Sequence, residues 1–132
     1  MIEKDKTYTI IGSPENLSPE MILNKGYNNC ANIWLIGVFT YFLHLGINPF
    51  YDKDPMIIYK NIIKVNYDLP NNIDRDIRLF IDNLIQKDIT KRLGGVKGNL
   101  NDIVFHKWFL SFDWNSFMDR KMVPPFMPDP EM

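Results

Sequence analysis

The apolar run from Cys30 to Gly46, CANIWLIGVFTYFLHLG, constrains the fold more than any other segment of this sequence. A membrane-spanning helix needs about 20 apolar residues, whereas this run is shorter and is interrupted by Asn32, Thr40 and His44. A helix that is apolar on all sides but too short to span a bilayer is typical of a protein core. The run therefore predicts a helix that is buried on nearly all its sides.

Two amphipathic helices are predicted after this run. In DPMIIYKNIIKV, Asp54 is suited to be the N-cap and Pro55 to occupy the first helical position. In DRDIRLFIDNLIQ, apolar residues recur at helical spacing with charged residues between them. The residues expected to share an apolar face are Met56, Tyr59 and Ile63 in the first helix, and Ile77, Phe80, Ile81, Leu84 and Ile85 in the second.

Three shorter helices complete the prediction. SPEMIL offers Ser18 as N-cap and Pro19 as first helical residue, while NLNDIVFHKWF and DWNSFMDR each open on an Asn or Asp cap. The tail VPPFMPDPEM is not expected to be regular, because each proline removes a backbone donor and fixes φ. Since no segment alternates in the manner of a strand, the predicted fold class is mainly α.

Composition narrows the classes of function. The chain has 132 residues, of which 45% are hydrophobic, and this is enough for one globular domain. A net charge of −1 provides no basic field, so neither nucleic acid nor a membrane surface is expected as a partner. The single cysteine, Cys30, cannot form an internal disulfide, and the N-terminus shows no signal-peptide pattern. A cytoplasmic location is therefore expected.

No metal or nucleotide site is predicted from the residues themselves. His44 and His106 have no acidic or cysteine partner at ligand spacing, so both are interpreted as structural. The glycine-rich stretch RLGGVKG, residues 92–98, lacks the spacing of a phosphate-binding P-loop. It is interpreted as an interhelical loop.

The order of several motifs resembles a known family. TYTIIGSPENLSPE is followed by GYNNCANIWLIGVFTYFLHLGINPF, and then by DITKRLGG, HKWF and FDW. From about Lys6 to Pro128, this order resembles the second half of a eukaryotic protein kinase catalytic domain. Within that family it is similar to the AGC group, which contains the cyclic-AMP-dependent protein kinase catalytic subunit. The resemblance implies a helical C-terminal lobe, as a partial domain without its N-lobe and catalytic loop.

The resemblance divides the chain into three segments. Residues 1–17 resemble the end of the activation segment and the substrate-facing P+1 loop, and residues 18–110 resemble the helices of the C-lobe. Residues 111–132 resemble the start of an AGC-type C-terminal tail. At positions 18–20 the chain has Ser-Pro-Glu where the family has Ala-Pro-Glu.

Phosphorylation and peptide docking are implied for the first segment. Thr9 matches the threonine whose phosphorylation orders the activation loop, a modification that adds about −1.5 to −2 charges. Ile10, Pro14 and Leu17 match the apolar lining for the peptide side chain that follows the phosphorylated residue, with ordinary packing as the alternative for Leu17. Ser13 matches a residue that forms a hydrogen bond within the catalytic site, with a turn serine as the alternative. The peptide-docking residues implied by the resemblance are Ile10, Ser13, Pro14, Glu15 and Leu17.

The resemblance also implies an ion pair between Glu20 and Arg92, which ties the activation segment to the helical lobe. A buried carboxylate requires a partner, and the planar guanidinium group offers it two parallel hydrogen bonds. A generic surface pair is the alternative.

Three positions depart from the family pattern. Asn32 stands in place of an aspartate that accepts hydrogen bonds from the backbone of the catalytic loop, and it keeps one acceptor oxygen without the charge. Asn16 replaces a tyrosine and Phe42 replaces an acidic residue, both of which help to select basic peptides. Glu15 is the only acid retained in that neighbourhood, so a preference for arginine-rich peptides is not expected.

Two functions stay open from the sequence. The chain is either the C-terminal part of an ATP-dependent serine/threonine kinase, or a degenerate, pseudokinase-like binding module that uses the peptide-docking surface. The nucleotide-binding and catalytic motifs of a kinase are absent from these residues. No catalytic residue, metal ligand or cofactor is therefore expected for the chain itself, and Mg-ATP is implied only for an intact parent. The implied partners are a protein or peptide substrate and, beyond it, either a regulatory subunit or the missing N-terminal lobe.

Overall fold

The computed structural model of the chain describes residues 13–96 and 98–130, and Thr9 and Ile10 lie outside this range. The described residues form α-helices and two 3-10 turns and contain no β-strand, so the predicted mainly α fold is confirmed for them. None of the helices in this part of the chain is both long enough and apolar enough to cross a bilayer. The helices are α1 Pro19–Ile22, α2 Cys30–Leu45, α3 Pro55–Lys64, α4 Arg75–Leu84, α5 Leu100–Val104 and α6 Trp114–Met118, and the 3-10 turns are Pro14–Asn16 and Lys107–Phe109.

Helix α2 is the centre of the fold. The side chain of Asn28 accepts a hydrogen bond from the Cys30 amide at 3.0 Å, next to the start of the helix. The helix ends at Gly46, which has a φ of 77°, a left-handed conformation that glycine adopts without strain. Within the helix, the Thr40 hydroxyl donates to the Ile36 carbonyl at 2.7 Å, so this polar group enters the core with a partner.

Helix α4 crosses α2 at Gly37. A Cβ atom at this glycine would lie 2.8 Å from Ile85 Cγ1 and 2.9 Å from Leu84 Cβ, so the two helices approach too closely for any side chain. The predicted face of α4 is confirmed, since Phe80, Ile81, Leu84 and Ile85 are at most 2% exposed. The close approach allows these residues to fill the space beside α2.

The prediction of the apolar face of α3 was wrong for Met56, whereas Tyr59 and Ile63 are half-buried. Asp54 caps the helix as expected, accepting from the Met56 amide at 3.0 Å, but the Met56 side chain is 66% exposed. The buried residues are Ile58 and Ile62, which pack with Trp34 and the other residues of the main core cluster. Because α3 carries apolar side chains on two adjacent stripes, periodicity alone did not show which stripe faces the core.

The C-terminal part of the described chain packs its aromatic side chains around Phe80. The ring centroid of Phe80 lies 4.8 Å from that of Trp108 and 5.4 Å from that of Phe109. Trp114 then donates its indole N–H to the Val104 carbonyl at 3.0 Å, which fixes α6 against α5. The proline-rich tail after α6 is irregular in its described residues, as predicted.

His106 connects this aromatic cluster to α4. Its Nδ1 accepts from the Trp108 amide at 3.1 Å, its Nε2 lies 3.4 Å from Asn83 Nδ2, and its ring lies 5.0 Å from that of Phe80. Burial lowers the pKa of His106, and the nearby charge of Asp76 opposes this effect. The neutral ring is therefore the form that the fold stabilises.

This pKa shift predicts a loss of stability in mild acid. The unfolded chain binds a proton at His106 more readily than the folded chain does. The stabilisation that neutral His106 gives the folded chain is therefore complete above the ordinary histidine pKa of about 6.5, and it is lost as pH falls through the lower pKa of the folded state. We expect the free energy of unfolding, measured by urea titration, to decrease between pH 7.5 and pH 5.5. The variant His106→Asn keeps an oxygen that can accept from the Trp108 amide, but its side chain does not titrate. The free energy of unfolding of this variant should therefore decrease less over the same pH range. Equal decreases in both proteins would contradict the prediction.

Candidate functional site

Helix α1 presents a buried acid to the interior. It begins after Ser18 with Pro19 at its first position, as the sequence predicts, and places Glu20 in its first turn. Glu20 is only 9% exposed. A carboxylate removed from water to this degree needs a partner.

Arg92 is that partner. It lies in the loop between α4 and α5 and is 3% exposed. Its Nη1 and Nη2 donate to the two carboxylate oxygens of Glu20 at 2.7 and 3.0 Å, which is a bidentate arrangement. Arg92 also donates from Nη1 to the Cys30 carbonyl at 2.8 Å and from Nε to the Gln86 carbonyl at 2.9 Å. Its guanidinium carbon lies 5.3 Å from the centroid of the Trp34 ring.

The Glu20–Arg92 pair joins three parts of the fold. It connects α1 to the start of α2 and to the loop after α4, and it is the only ion pair found within residues 13–96 and 98–130. Burial raises the pKa of the adjacent Cys30 thiol, an effect that Arg92 opposes and Glu20 reinforces. Cys30 is therefore a buried neutral thiol packed beside the pair.

The segment before α1 is held against the C-terminal end of α2. The 3-10 turn Pro14–Asn16 is fixed by Asn48, whose side-chain amide donates to the Glu15 carbonyl at 3.2 Å. Ser13 is exposed and Pro14 and Glu15 are half-buried, whereas Leu17 is 4% exposed and belongs to the core. Of the residues predicted to dock a peptide, Ser13, Pro14 and Glu15 are therefore accessible in this part of the chain.

A cavity of about 480 Å³ separates this turn from α2. Two of the phenyl rings that line it, those of Phe39 and Phe42, are 59% and 47% exposed. The prediction that α2 is buried on nearly all sides was therefore wrong for this face, because the described residues supply no element that covers it. The other lining residues are Glu15, Asn16, Leu35, Val38 and Asn48.

We expect this face to cause self-association of the isolated chain. Ile36, Phe39, Phe42 and Leu43 form a largely exposed apolar stripe along α2, and contiguous apolar surface of this kind promotes aggregation. Sedimentation velocity at micromolar concentration should show oligomers, and Phe39→Ser combined with Leu43→Ser should reduce them. The control is Phe105→Ser, which removes an even more exposed phenyl ring that lies outside α2, at 78% exposure against 59% for Phe39. A monomeric parent chain would contradict the prediction.

Asn32 lies near the N-terminal end of the same exposed face of α2, one helical turn before Ile36. It is exposed in the first turn, and within the described part of the chain its side chain forms no hydrogen bond. It faces a cavity of about 570 Å³ whose opposite wall is the glycine-rich loop, including Gly94 and Gly98. That loop connects α4 to α5, as the sequence predicts. The Asn32 amide is thus available to a partner outside the described residues.

Comparison with known proteins decides the family. The family model described as "Protein kinase domain" matches residues 1–109. The chain belongs to the protein kinase family. This kinase chain is 37% identical over 94% of its length to the human cAMP-dependent protein kinase catalytic subunit PRKX, and 36% identical over 96% of its length to the Drosophila melanogaster cAMP-dependent protein kinase catalytic subunit 3. It is also 39% identical over 93% of its length to the Caenorhabditis elegans cGMP-dependent protein kinase egl-4.

The matched region is a minor part of each relative. It spans 35% of the human protein, 22% of the Drosophila protein and 16% of the C. elegans protein. The helices described above therefore correspond to a partial kinase domain.

Sequence reasoning missed the backbone partners of Arg92. The carbonyls of Cys30 and Gln86 complete its hydrogen bonding. Because every residue has a backbone carbonyl, the sequence does not show which ones accept from Arg92. It also missed Asn48, whose side chain fixes the 3-10 turn Pro14–Asn16 by a hydrogen bond to Glu15, 33 positions away in the chain. The only signal for Asn48 was its place after the helix-ending glycine, where polar residues are common.

Proposed function

We propose that this chain supplies the substrate-binding C-terminal part of an ATP-dependent serine/threonine protein kinase of the AGC group, similar to cyclic-AMP-dependent protein kinase. The observation that carries the proposal is the bidentate pair between Glu20 and Arg92. It holds the end of the proposed activation segment to the helical lobe. Accordingly, residues 1–17 act as activation segment and P+1 loop, residues 18–110 as C-lobe and residues 111–132 as the start of the C-terminal tail.

In this proposal, the segment before α1 receives a protein substrate. Ser13, Pro14 and Glu15 form an accessible turn that Asn48 holds in one position, so an extended peptide can lie against it. Phosphorylation of Thr9 orders the same segment through an added charge of about −1.5 to −2. A regulatory subunit and the N-terminal lobe are further proposed partners, and the proposed location is the cytoplasm.

The described residues do not fit Mg-ATP. Phosphoryl transfer requires carboxylate ligands for magnesium and cations for the phosphates, yet no group of three or more Asp, Glu, His or Cys side chains in residues 13–96 and 98–130 is arranged to hold a metal ion. In this proposal the chain itself carries out no catalytic step. Its proposed contribution is to position the peptide, while nucleotide binding belongs to the rest of a kinase domain.

A second function is favoured by Asn32 and Phe42. Asn32 lacks the charge of the aspartate that the family uses to hold the catalytic loop. Phe42 gives an apolar wall to the cavity between α2 and the turn before α1. Both fit a pseudokinase-like module that binds a protein without phosphorylating it.

A fusion experiment separates the two functions. The chain is joined to the N-terminal half of an active cAMP-dependent kinase, and transfer of radiolabelled phosphate to a serine peptide is measured. Activity of the fusion, with none from the chain alone, is the expected result. The chain alone should also show no saturable heat on titration with Mg-ATP. Saturable binding would overturn the proposal that the nucleotide binds to other parts of a kinase domain.

The matched variant is Asn32→Asp, which restores the charge at an exposed position without disturbing the core. A folded fusion that is inactive with the natural Asn32 and becomes active on Asn32→Asp would assign the binding function to the natural chain. A folded fusion that is inactive with either residue at this position would reject the kinase proposal.

A further inference from the structure

A cavity beside α1 has no role in the proposed function. It has a volume of about 470 Å³ and lies between the loop after α1 and the loop after α4. Its apolar walls are formed by Pro19, Leu23, Tyr27 and Ile89. Cavities of about 300–1,000 Å³ with mainly apolar walls are the usual binding sites of small molecules.

The charges around this cavity are unbalanced. Lys25 and Lys87 both line it and are exposed, and neither takes part in an ion pair within the described ranges. The two acids of the cavity are already engaged by the protein. Glu20 binds Arg92, and Asp88 accepts from the Thr90 amide at 2.9 Å and from the Thr90 hydroxyl at 2.7 Å. Arg92 neutralises Glu20, whereas the neutral donors of Thr90 leave the negative charge of Asp88 in place. The lining is therefore net positive because Lys25 and Lys87 outweigh the single remaining carboxylate.

Both walls of the cavity are attached to the Glu20–Arg92 pair. On one side, the Lys25 amide donates to the Glu20 carbonyl at 3.1 Å. On the other, Arg92 donates to the carbonyls of Gln86 at 2.9 Å and Lys87 at 3.5 Å. A ligand would therefore enter a site whose two walls are already held together, and little ordering of the protein would oppose its binding.

We propose that this cavity binds a small anionic amphiphile, namely an aliphatic carboxylate of medium chain length. The carboxylate lies between the ammonium groups of Lys25 and Lys87, and the hydrocarbon chain packs on Leu23, Tyr27 and Ile89. Charge-assisted hydrogen bonds to the lysines select an anion over an alcohol of the same length. The apolar walls select an alkyl chain over a short, fully hydrated anion such as acetate.

The test is titration of the ¹⁵N-labelled full chain with decanoate, followed by amide chemical shifts. Saturable shifts are expected at residues 25–28 and 87–89. The double variant Lys25→Met and Lys87→Met should bind decanoate about tenfold more weakly or worse, because both charge-assisted contacts are lost. Lys91→Met changes an exposed lysine outside the cavity and should leave the affinity unchanged. Decanol should bind wild-type protein as weakly as decanoate binds the double variant.

Three results would overturn the proposal. They are shifts confined to the exposed face of α2 around Phe39, equal affinities for decanoate and decanol, and no saturation below the micelle concentration. Both substituted lysines are exposed, so the variants should fold, and overlay of their spectra on the wild-type spectrum checks this. Because none of these readouts measures phosphate transfer, the outcome does not depend on the proposed kinase function.

Discussion

Arg92→Ala should lower the free energy of unfolding by about 3–5 kcal/mol, the cost of leaving one charge of a buried pair without its partner. The substitution strands the Glu20 carboxylate, which is 9% exposed, and removes the donors to the Cys30 and Gln86 carbonyls. Small domains have total stabilities of about 5–15 kcal/mol, so the variant should be largely unfolded or close to it. Urea titration followed by circular dichroism measures the loss.

Two further variants identify the cause. Lys91→Ala, at the exposed neighbouring position, should change stability by less than about 0.5 kcal/mol. Arg92→Lys keeps the positive charge but loses the planar guanidinium group, so its free energy of unfolding should lie between those of the wild-type chain and Arg92→Ala. A loss below about 1 kcal/mol for Arg92→Ala would show that the pair behaves as an exposed one.

Gly37→Val should destabilise the fold by about 2–3 kcal/mol, as expected for overpacking at a helix crossing. Even a Cβ atom at this position would lie 2.8 Å from Ile85 Cγ1 and 2.9 Å from Leu84 Cβ, so α4 would have to move away from α2. Gly37→Ala tests the same contact against an opposing effect, because alanine favours a helix interior over glycine by about 1 kcal/mol. Thermal and urea unfolding would show the sign and size of both changes.

The control for this prediction is Leu43→Val on the same helix. Leu43 is 65% exposed, so its replacement reports the cost of a β-branched residue in α2 without affecting the crossing. If Gly37→Val costs no more than Leu43→Val, the close approach of α2 and α4 does not hold in solution.

The sequence was most informative where a helix carries a single apolar stripe. The buried face of α4 follows directly from the spacing of Phe80, Ile81 and Leu84 among charged residues. In α3 the apolar residues form two stripes, and tertiary packing around Trp34 and Phe50 buries Ile58 and Ile62 instead of Met56. In α2 nearly every residue is apolar, so the pattern did not distinguish the face toward α4 from the face toward solvent.

The candidate site was accessible to sequence reasoning only through motif order. No periodicity relates Glu20 to Arg92, and the expectation that they pair came from the resemblance to protein kinases. The physical reason for the contact lies in features that a sequence does not display, namely the Cys30 and Gln86 carbonyls and the Trp34 ring around the guanidinium group. The same is true of the cavity at Lys25 and Lys87, since it forms between two loops that are distant in the chain.

The separation of Glu20 and Arg92 along the chain has a consequence for the order of folding. The two residues are 72 positions apart, so their contact closes a long loop and carries a large entropic cost until other contacts bring the segments together. Packing of α4 on α2 brings the loop that carries Arg92 to the start of α2, so we expect the ion pair to form after the main barrier to folding. Its loss should then accelerate unfolding and change the folding rate little. The pair governs the lifetime of the folded chain more than the speed at which it forms.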